Sequence, residues 1–374
     1  MTAKVVSVET RIVRKAFDKA QWNPRTRWAE KNVVLVLVRT EDGVAGLGEA
    51  YCDAGVPASV TTLIEKDFAP LVVGRSLLDL GAIVASIRDT MIVSAKGGAA
   101  WAALSAIDIA LWDALGKMLG QPVCNLLGCE RRRVYAYASA GLYGPAKTES
   151  DLAAEMRSYV DLGFRAVKTK VGGAPLAEDL RRVAAVREAI GPEIRFMVDA
   201  LYALSVADAL RMSRALEKYD VHFLEAPVVP EDIAGLARIA AAGPVPVAGN
   251  EFAYGLDGFR RIIEADAVSY VHLDAILCGG ISEGQRIAAL AASRHLPCSF
   301  HAASSAVCFA ANLQLAASVP NVDSIEFHML HRMLFDQLAD GHFRLEEGRV
   351  VVPDAPGIGL GIDAATLAGA LDPP

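Results

Sequence analysis

The chain has 374 residues, of which 53% are hydrophobic, enough for two domains or for one barrel with an addition. Its formal net charge is -7 and its pI near 5.6, and it has no long basic run, which argues against nucleic acid and anionic membrane as partners. Its six cysteines (Cys52, Cys124, Cys129, Cys278, Cys298 and Cys308) form no C-x-x-C pair and no zinc spacing, and read as reduced thiols of a cytoplasmic protein.

The N-terminus does not read as a signal peptide. Lys4 to Val13 alternates like a strand. Asn32 to Thr40 and Val44 to Tyr51 flank Glu41-Asp42-Gly43, and Asp-Gly between apolar runs signals a hairpin. The apolar run Val33 to Val38 is too short to span a bilayer. Ala16 to Glu30, with Trp22, Asn23, Pro24, Arg25, Arg27 and Trp28, reads as a long polar-aromatic loop and a candidate lid. Helical patterns follow over Val60–Phe68, Leu77–Ile92 and Gly98–Leu119, the last stopped by Gly120 and Pro122. Asp108 and Asp113 on it read as solvated or locally bonded carboxylates. Residues up to about Gly128 thus make an α+β unit.

From Val134 the pattern becomes strand, helix, strand, helix. Val134–Ala138 is a strand, followed by a loop holding Tyr143. Ala166 to Val171 is a short strand carrying Lys168 and Lys170, which share one face because alternate strand side chains do. Two such ammonium groups repel and lower each other's pKa, so one could serve as a base. A solvated edge strand with two surface lysines is the plain alternative. Further apolar runs end in Asp199, Glu225, Glu251, Asp274, His301 and Glu326, spaced about 25 residues apart, which is roughly one strand plus one helix. Eight parallel strands of this kind close into a TIM-type (β/α) barrel, whose site lies at the strands' C-terminal ends. The predicted architecture is α/β: an N-terminal α+β capping domain (1–128), a barrel (129–334) and a Gly- and Pro-rich tail (335–374) packing back on the cap.

Three carboxylates meeting at one mouth, Asp199, Glu225 and Glu251, stay ionised together only around a cation, and an all-oxygen set suits Mg²⁺. Asp274 and His301 end neighbouring strands about 5 Å apart, so the carboxylate can fix the imidazole tautomer. Glu326 could share a proton with a substrate carboxylate. His272 shares the inward face one layer lower and reads as a core histidine. Tyr143, His328 and His331 are possible substrate contacts, as are Trp22 and Arg25 of the expected lid. A hard cation between a lysine and a His–Asp pair suits removal of a proton next to a carboxylate. No G-x-S-x-G, phosphate loop or dinucleotide fingerprint occurs.

These residues resemble the enolase superfamily, mandelate racemase subgroup. The likeness includes Asp108-Ile109-Ala110-Leu111-Trp112-Asp113, the Lys168-Thr169-Lys170 strand, Leu224-Glu225-Ala226-Pro227, Asp274 before Cys278-Gly279-Gly280-Ile281-Ser282-Glu283, and His301 before Ala310-Ala311-Asn312-Leu313. A Lys or His base with Mg²⁺ is the established pairing of that superfamily. The resemblance implies an enolase-like modified barrel with one Mg²⁺ on Asp199, Glu225 and Glu251. It implies Lys170 as base on one face, Lys168 holding the substrate carboxylate, His301 with Asp274 on the other face, and Glu326 near the developing enediolate. It implies a homo-oligomer acting on a small carboxylate. Dehydration of a sugar acid leads; racemisation or epimerisation of a 2-hydroxy acid, lactone cycloisomerisation and a non-catalytic binding barrel are the alternatives. Two departures stand out: Leu201 where relatives often carry Asn, and His272-Leu273 where many carry Gln-Pro.

Overall fold

The structure is a computed structural model that describes residues 3–52, 57–94, 97–332 and 342–362, with Leu334 and Ala339. Its first element is an antiparallel sheet of β1 (Val5–Trp22), β2 (Arg27–Thr40) and β3 (Ala45–Ala50). The loop expected over Ala16–Glu30 is instead the far half of a long ribbon, in register from Ala16↔Glu30 to Trp22↔Arg27 with one irregularity between Ala16 and Gln21. No core lies beneath this extension, so its sequence lacks the in–out alternation that marks a half-buried strand. The turn is made by Asn23, whose side-chain oxygen accepts from the N–H groups of Arg25 (2.8 Å) and Thr26 (2.7 Å).

The run Val33–Val38 is apolar on every residue because β2 is covered on both faces. Val34, Val36 and Val38 meet the N-terminal helices, while Val33, Leu35 and Leu37 join the barrel core. Helix Gly98–Leu119 packs against β3, and Gly46 and Gly48 permit the approach: a Cβ on Gly48 would sit 2.0 Å from the Ala106 carbonyl oxygen. This helix is long and apolar enough to cross a membrane, but 72% of its most apolar window is buried inside the fold.

Asp108 and Asp113 on this helix are not solvated; both are buried and bond across to other segments. Asp113 accepts from the N–H of Leu47 and of Ile358, each at 2.8 Å, and pairs with Lys117 at 2.7 Å. Asp108 accepts from Ser282 N–H (3.0 Å), and burial pushes its carboxyl up to about 7. Glu49, buried on β3, accepts from Ser305 Oγ (2.5 Å) and Cys308 N–H (3.0 Å) at the start of helix Ala306–Ala317.

Eight parallel strands close the barrel: β4 (Arg133–Ser139), β5 (Ala166–Lys170), β6 (Arg195–Asp199), β7 (Val221–Glu225), β8 (Val247–Gly249), β9 (Tyr270–Leu273), β10 (Cys298–Phe300) and β11 (Val322–His328), with β11 pairing back to β4. Tyr137, Ala166, Met197, Phe223 and Ala248 plug the interior beneath the strand ends. After the barrel, β12 (Leu345–Glu346) and β13 (Arg349–Val351) form a hairpin that extends β4 antiparallel. Gly357 and Ile358 then bond to Val123 and Asp113. Residues 335–338, 340, 341 and 363–374 of the expected tail lie outside the described residues.

Because the Ala106 carbonyl is backbone of a packed helix, Gly48→Ala is expected to lose about 1–3 kcal/mol of unfolding free energy through overpacking, read as a lower denaturant midpoint. An unchanged midpoint contradicts the close packing of β3 on this helix.

Candidate active site

The strand phase brings the predicted residues to one end of the barrel. Lys168 and Lys170 point inward on β5, and both are buried. The Lys168 ammonium lies 2.5 Å from Glu225 Oε2, 3.0 Å from Glu326 Oε1 and 3.9 Å from Asp199 Oδ2. Burial works to lower its pKa, but Glu225 and Glu326 outweigh that and hold it well above the ordinary lysine value. The lowered pKa expected from a neighbouring ammonium is therefore not found at Lys168, because carboxylates and not Lys170 dominate its surroundings. Lys170 pairs with Asp199 Oδ2.

His301 and Asp274 sit just past β10 and β9, with Nδ1 2.8 Å from Asp274 Oδ2. The other oxygen of Asp274 accepts from Ile276 N–H (3.0 Å) and Asn312 Nδ2 (2.7 Å), and Asn312 also takes the N–H of Ala275 at 2.9 Å. This clamp fixes the carboxylate, which fixes the imidazole. Burial pulls the His301 pKa down, but Glu326 and Asp274 carry it up to about 9. Glu326 Oε2 lies 3.6 Å from His301 Nε2 and accepts from Ala302 N–H at 3.2 Å. Burial raises its pKa, but Lys168 and His301 hold it well below the usual carboxylate range.

Of the three expected metal ligands, Glu225 and Glu251 fall in one tight group of donors, while Asp199, paired with Glu225 in the sheet register, has both oxygens engaged. Asp199 Oδ1 accepts from Leu201 N–H (2.8 Å) and its Oδ2 is taken by Lys170. Burial would raise Asp199, but the two lysines keep it low, whereas burial and Asp199 push Glu225 up to about 8. Among the described residues, the group of donors lying within 4.8 Å of one another is Glu225, Glu251 and His272, all buried. His272, expected as a core residue, thus belongs to the cluster. Neither carboxylate oxygen of Glu251 has a hydrogen-bond partner, although the Tyr202 hydroxyl faces it. A buried carboxylate of this kind, beside a second acid, fits a divalent cation.

Above these groups is a cavity of about 250 Å³ lined by Lys170, Asp199, His301 and Glu326 below, and by Asn23, Arg25 and Trp28 of the ribbon above. Arg25 crosses to the barrel, its Nε 3.2 Å from the Leu201 carbonyl and 3.0 Å from that of Tyr202. Leu201 and Tyr202 have φ of 37° and 61°, so the loop after Asp199 is held in a strained left-handed form at the mouth. Leu201 and His328 line the cavity. Trp22 and Tyr143 do not line it: they pair main chain to main chain (3.0 and 2.9 Å) and stack, while the Tyr143 hydroxyl donates to Asp179 at 2.6 Å. Their rings secure the ribbon to the barrel rim.

Sequence reasoning missed Lys31, Tyr202 and Phe252 as lining groups and Asn312 as the clamp on Asp274. Lys31 is buried just ahead of the Val33–Val38 run, with its ammonium 3.4 Å from the Ala303 carbonyl. A charged residue in phase with a buried strand, and an Asn in the apolar helix Ala306–Ala317, were the available signals.

Residues 7–128 match the family model described as the mandelate racemase/muconate lactonizing enzyme N-terminal domain, and residues 151–366 match the enolase C-terminal domain-like model. The chain is 33% identical to an arabinonate dehydratase of Saccharolobus solfataricus over 88% of each chain. It is also 33% identical to a D-galactarolactone cycloisomerase of Agrobacterium fabrum, over 97% of this chain and 98% of that one. A racemase from Streptomyces coelicolor A3(2), solved with bound magnesium, superposes with a TM-score of 0.90 at 28% identity, covering 98% of this chain and all (100%) of that one.

His328 and His331 stack at 4.0 Å, are buried, and leave ring nitrogens unpartnered. Burial lowers His328 to about 3 and His331 well below its ordinary 6.5. Below pH 6.5 the unfolded chain therefore binds protons that the native His331 refuses, and native stability falls with pH; above 6.5 both states are neutral and the effect vanishes. Relative to His331→Phe, the wild-type protein is expected to lose up to about 1.4 kcal/mol per pH unit below 6.5, measured by denaturation at pH 7.5 and 5. Comparison with the variant cancels the titrating groups that His331 does not touch, and a pH-independent gap contradicts the reading.

Proposed function

The chain belongs to the mandelate racemase/muconate lactonizing enzyme family, and on that premise we propose that it is a dehydratase of a sugar acid, an aldonate or aldarate. The observation that carries this reading is one cavity flanked by a lysine, Lys170, and by a histidine oriented by a carboxylate, His301 with Asp274. Asp199, Glu225 and Glu251 would hold one Mg²⁺, which when bound supplies positive charge against the second negative charge that the substrate carboxylate gains.

Lys170 takes the α-proton from one side. Lys168, kept as an ammonium by Glu225 and Glu326, stabilises the substrate carboxylate. Glu326, near His301, hydrogen-bonds the enediolate. His301, with Asp274 accepting at Nδ1, presents Nε2 to the cavity as a proton donor. The C3–O bond then breaks, the 3-hydroxyl leaves with the His301 proton as water, and the enol becomes a 2-keto-3-deoxy acid. The names of the relatives support a sugar-acid substrate, arabinonate dehydratase among them. Cycloisomerisation of a sugar-acid lactone is the second reading, favoured by an equally similar relative of that name that matches nearly the whole chain.

A panel of acid sugars, their lactones and 2-hydroxy acids, incubated with the Mg²⁺-loaded protein in D₂O, separates the readings. A 2-keto-3-deoxy product indicates dehydration, an isomer of unchanged formula apart from deuterium indicates cycloisomerisation, and α-deuterated recovered substrate indicates racemisation. On whichever substrate turns over, Lys170→Ala and His301→Ala are each expected to lower kcat by at least about 100-fold. Wild-type rates in both variants contradict the mechanism.

A further inference from the structure

Two histidines that the proton transfers do not use form a wall of the cavity. His328 ends β11 two residues past Glu326, so its side chain lies on the same inward face, about 6.5 Å farther along the strand. His331 follows in the short turn Met329–His331 and stacks on His328, with ring centroids 4.0 Å apart and planes 14° apart. Both line the cavity that Lys170 and His301 flank, and both are buried. Trp28 of the ribbon lies edge-on to His331, so the pair is enclosed between ribbon and barrel. Among the described residues, three of their ring nitrogens have no hydrogen-bond partner: His328 Nδ1 and both nitrogens of His331.

Burial keeps both rings neutral. Lys170 adds to it at His328, and His328 and Lys31 add to it at His331, while Glu326 opposes and is outweighed. A neutral imidazole carries one N–H and one lone pair. Whichever tautomer it adopts, His331 therefore presents a donor and an acceptor that the protein does not meet, and burial makes both costly to leave unmet. Their partner must accept and donate at once. A carboxylate only accepts, and a phenyl or alkyl group does neither, whereas the hydroxyls of a sugar chain do both. We infer that His331, held by its stack on His328, is a specificity residue that hydrogen-bonds a substrate hydroxyl beyond the carbons that react. The substrate is therefore an acid with a hydroxylated tail, and not a 2-hydroxy acid with an apolar one. The inference rests on the proposal that Lys170 and His301 act on a carboxylate substrate, and adds which part of that substrate the site reads.

The test is a kinetic series with the full chain and Mg²⁺. The probes are five- and six-carbon aldonates, aldarates and their lactones, the same acids deoxygenated singly at each carbon beyond C3, and 2-hydroxy acids with phenyl or alkyl tails. One deoxygenation beyond C3 is expected to lower wild-type kcat/KM about 10- to 100-fold, mainly through KM. His331→Phe is expected to lose about as much on the parent acid and to treat parent and deoxy acid within about threefold of each other. His331→Gln, which keeps a donor and an acceptor, is expected to regain part of the discrimination. A merely structural role lowers both acids equally and leaves the discrimination intact in His331→Phe, which overturns the inference. A wild-type enzyme that turns over every deoxy acid as fast as its parent also overturns it, whether or not either variant folds. Preference for phenyl or alkyl tails overturns it and leaves the Lys170 and His301 chemistry standing. Absence of turnover with every acid overturns that chemistry and this inference together.

Discussion

The site depends on charge held out of water. Lys168, Lys170 and His301 face Asp199, Glu225, Glu251, Asp274 and Glu326 inside a barrel whose floor is filled by Tyr137, Met197 and Phe223. Apart from Glu251, each charge is tolerable only because an opposite one lies within a few ångströms, so the positions are mutually enforced. Lys168 is the hinge of the balance, touching Glu225 and Glu326 at once. It thereby links Glu225 to the acid beside His301, and removing it leaves two buried carboxylates without their main counter-charge. The acids outnumber the bases, and the surplus gathers at Glu225 and Glu251, a group that could hold a cation.

Much of this was legible because a parallel strand has a period of two and a fixed exit. An ionisable residue at the end of each apolar run points to the same mouth, and Asp199, Glu225, Asp274, His301 and Glu326 did so without any knowledge of contacts. Three kinds of information were not local. The side-chain torsion of Asp199 depends on Lys170, its neighbour across the sheet, so convergence of strand ends did not guarantee convergence of carboxylate oxygens. The ribbon β1–β2 lacks an in–out pattern where nothing lies beneath it, so its outer half looked like a loop. Trp22 and Tyr143 were chosen as aromatics near a mouth, but their rings meet each other. His272 was in phase with Asp274, but that its ring comes within 4.8 Å of Glu225 and Glu251 oxygens depends on packing that the sequence does not carry.

The N-terminal unit is joined to the barrel by polar groups buried where water cannot compete. Asp108, Asp113 and Glu49 each accept main-chain N–H groups from a segment far away in sequence. Charge-assisted bonds of this kind are stronger than neutral ones and directional. Together with the face of β2 carrying Val33, Leu35 and Leu37, they fix the angle at which the ribbon leaves the body. The ribbon's tip then arrives over Lys170 and His301 as part of one rigid path from the core helix Gly98–Leu119.

That tip is mounted on the rim through peptide groups: Trp22 and Tyr143 exchange N–H and C=O bonds, as strands do regardless of their side chains. Arg25 likewise grips carbonyls of Leu201 and Tyr202 and not their side chains. The fastening is therefore nearly blind to what the neighbouring tip residues are. With Asn23 kept to make the turn, Thr26 and Trp28 can be exchanged for others while the barrel below keeps its chemistry, so the roof of the cavity can be reshaped by rewriting a few codons at one hairpin.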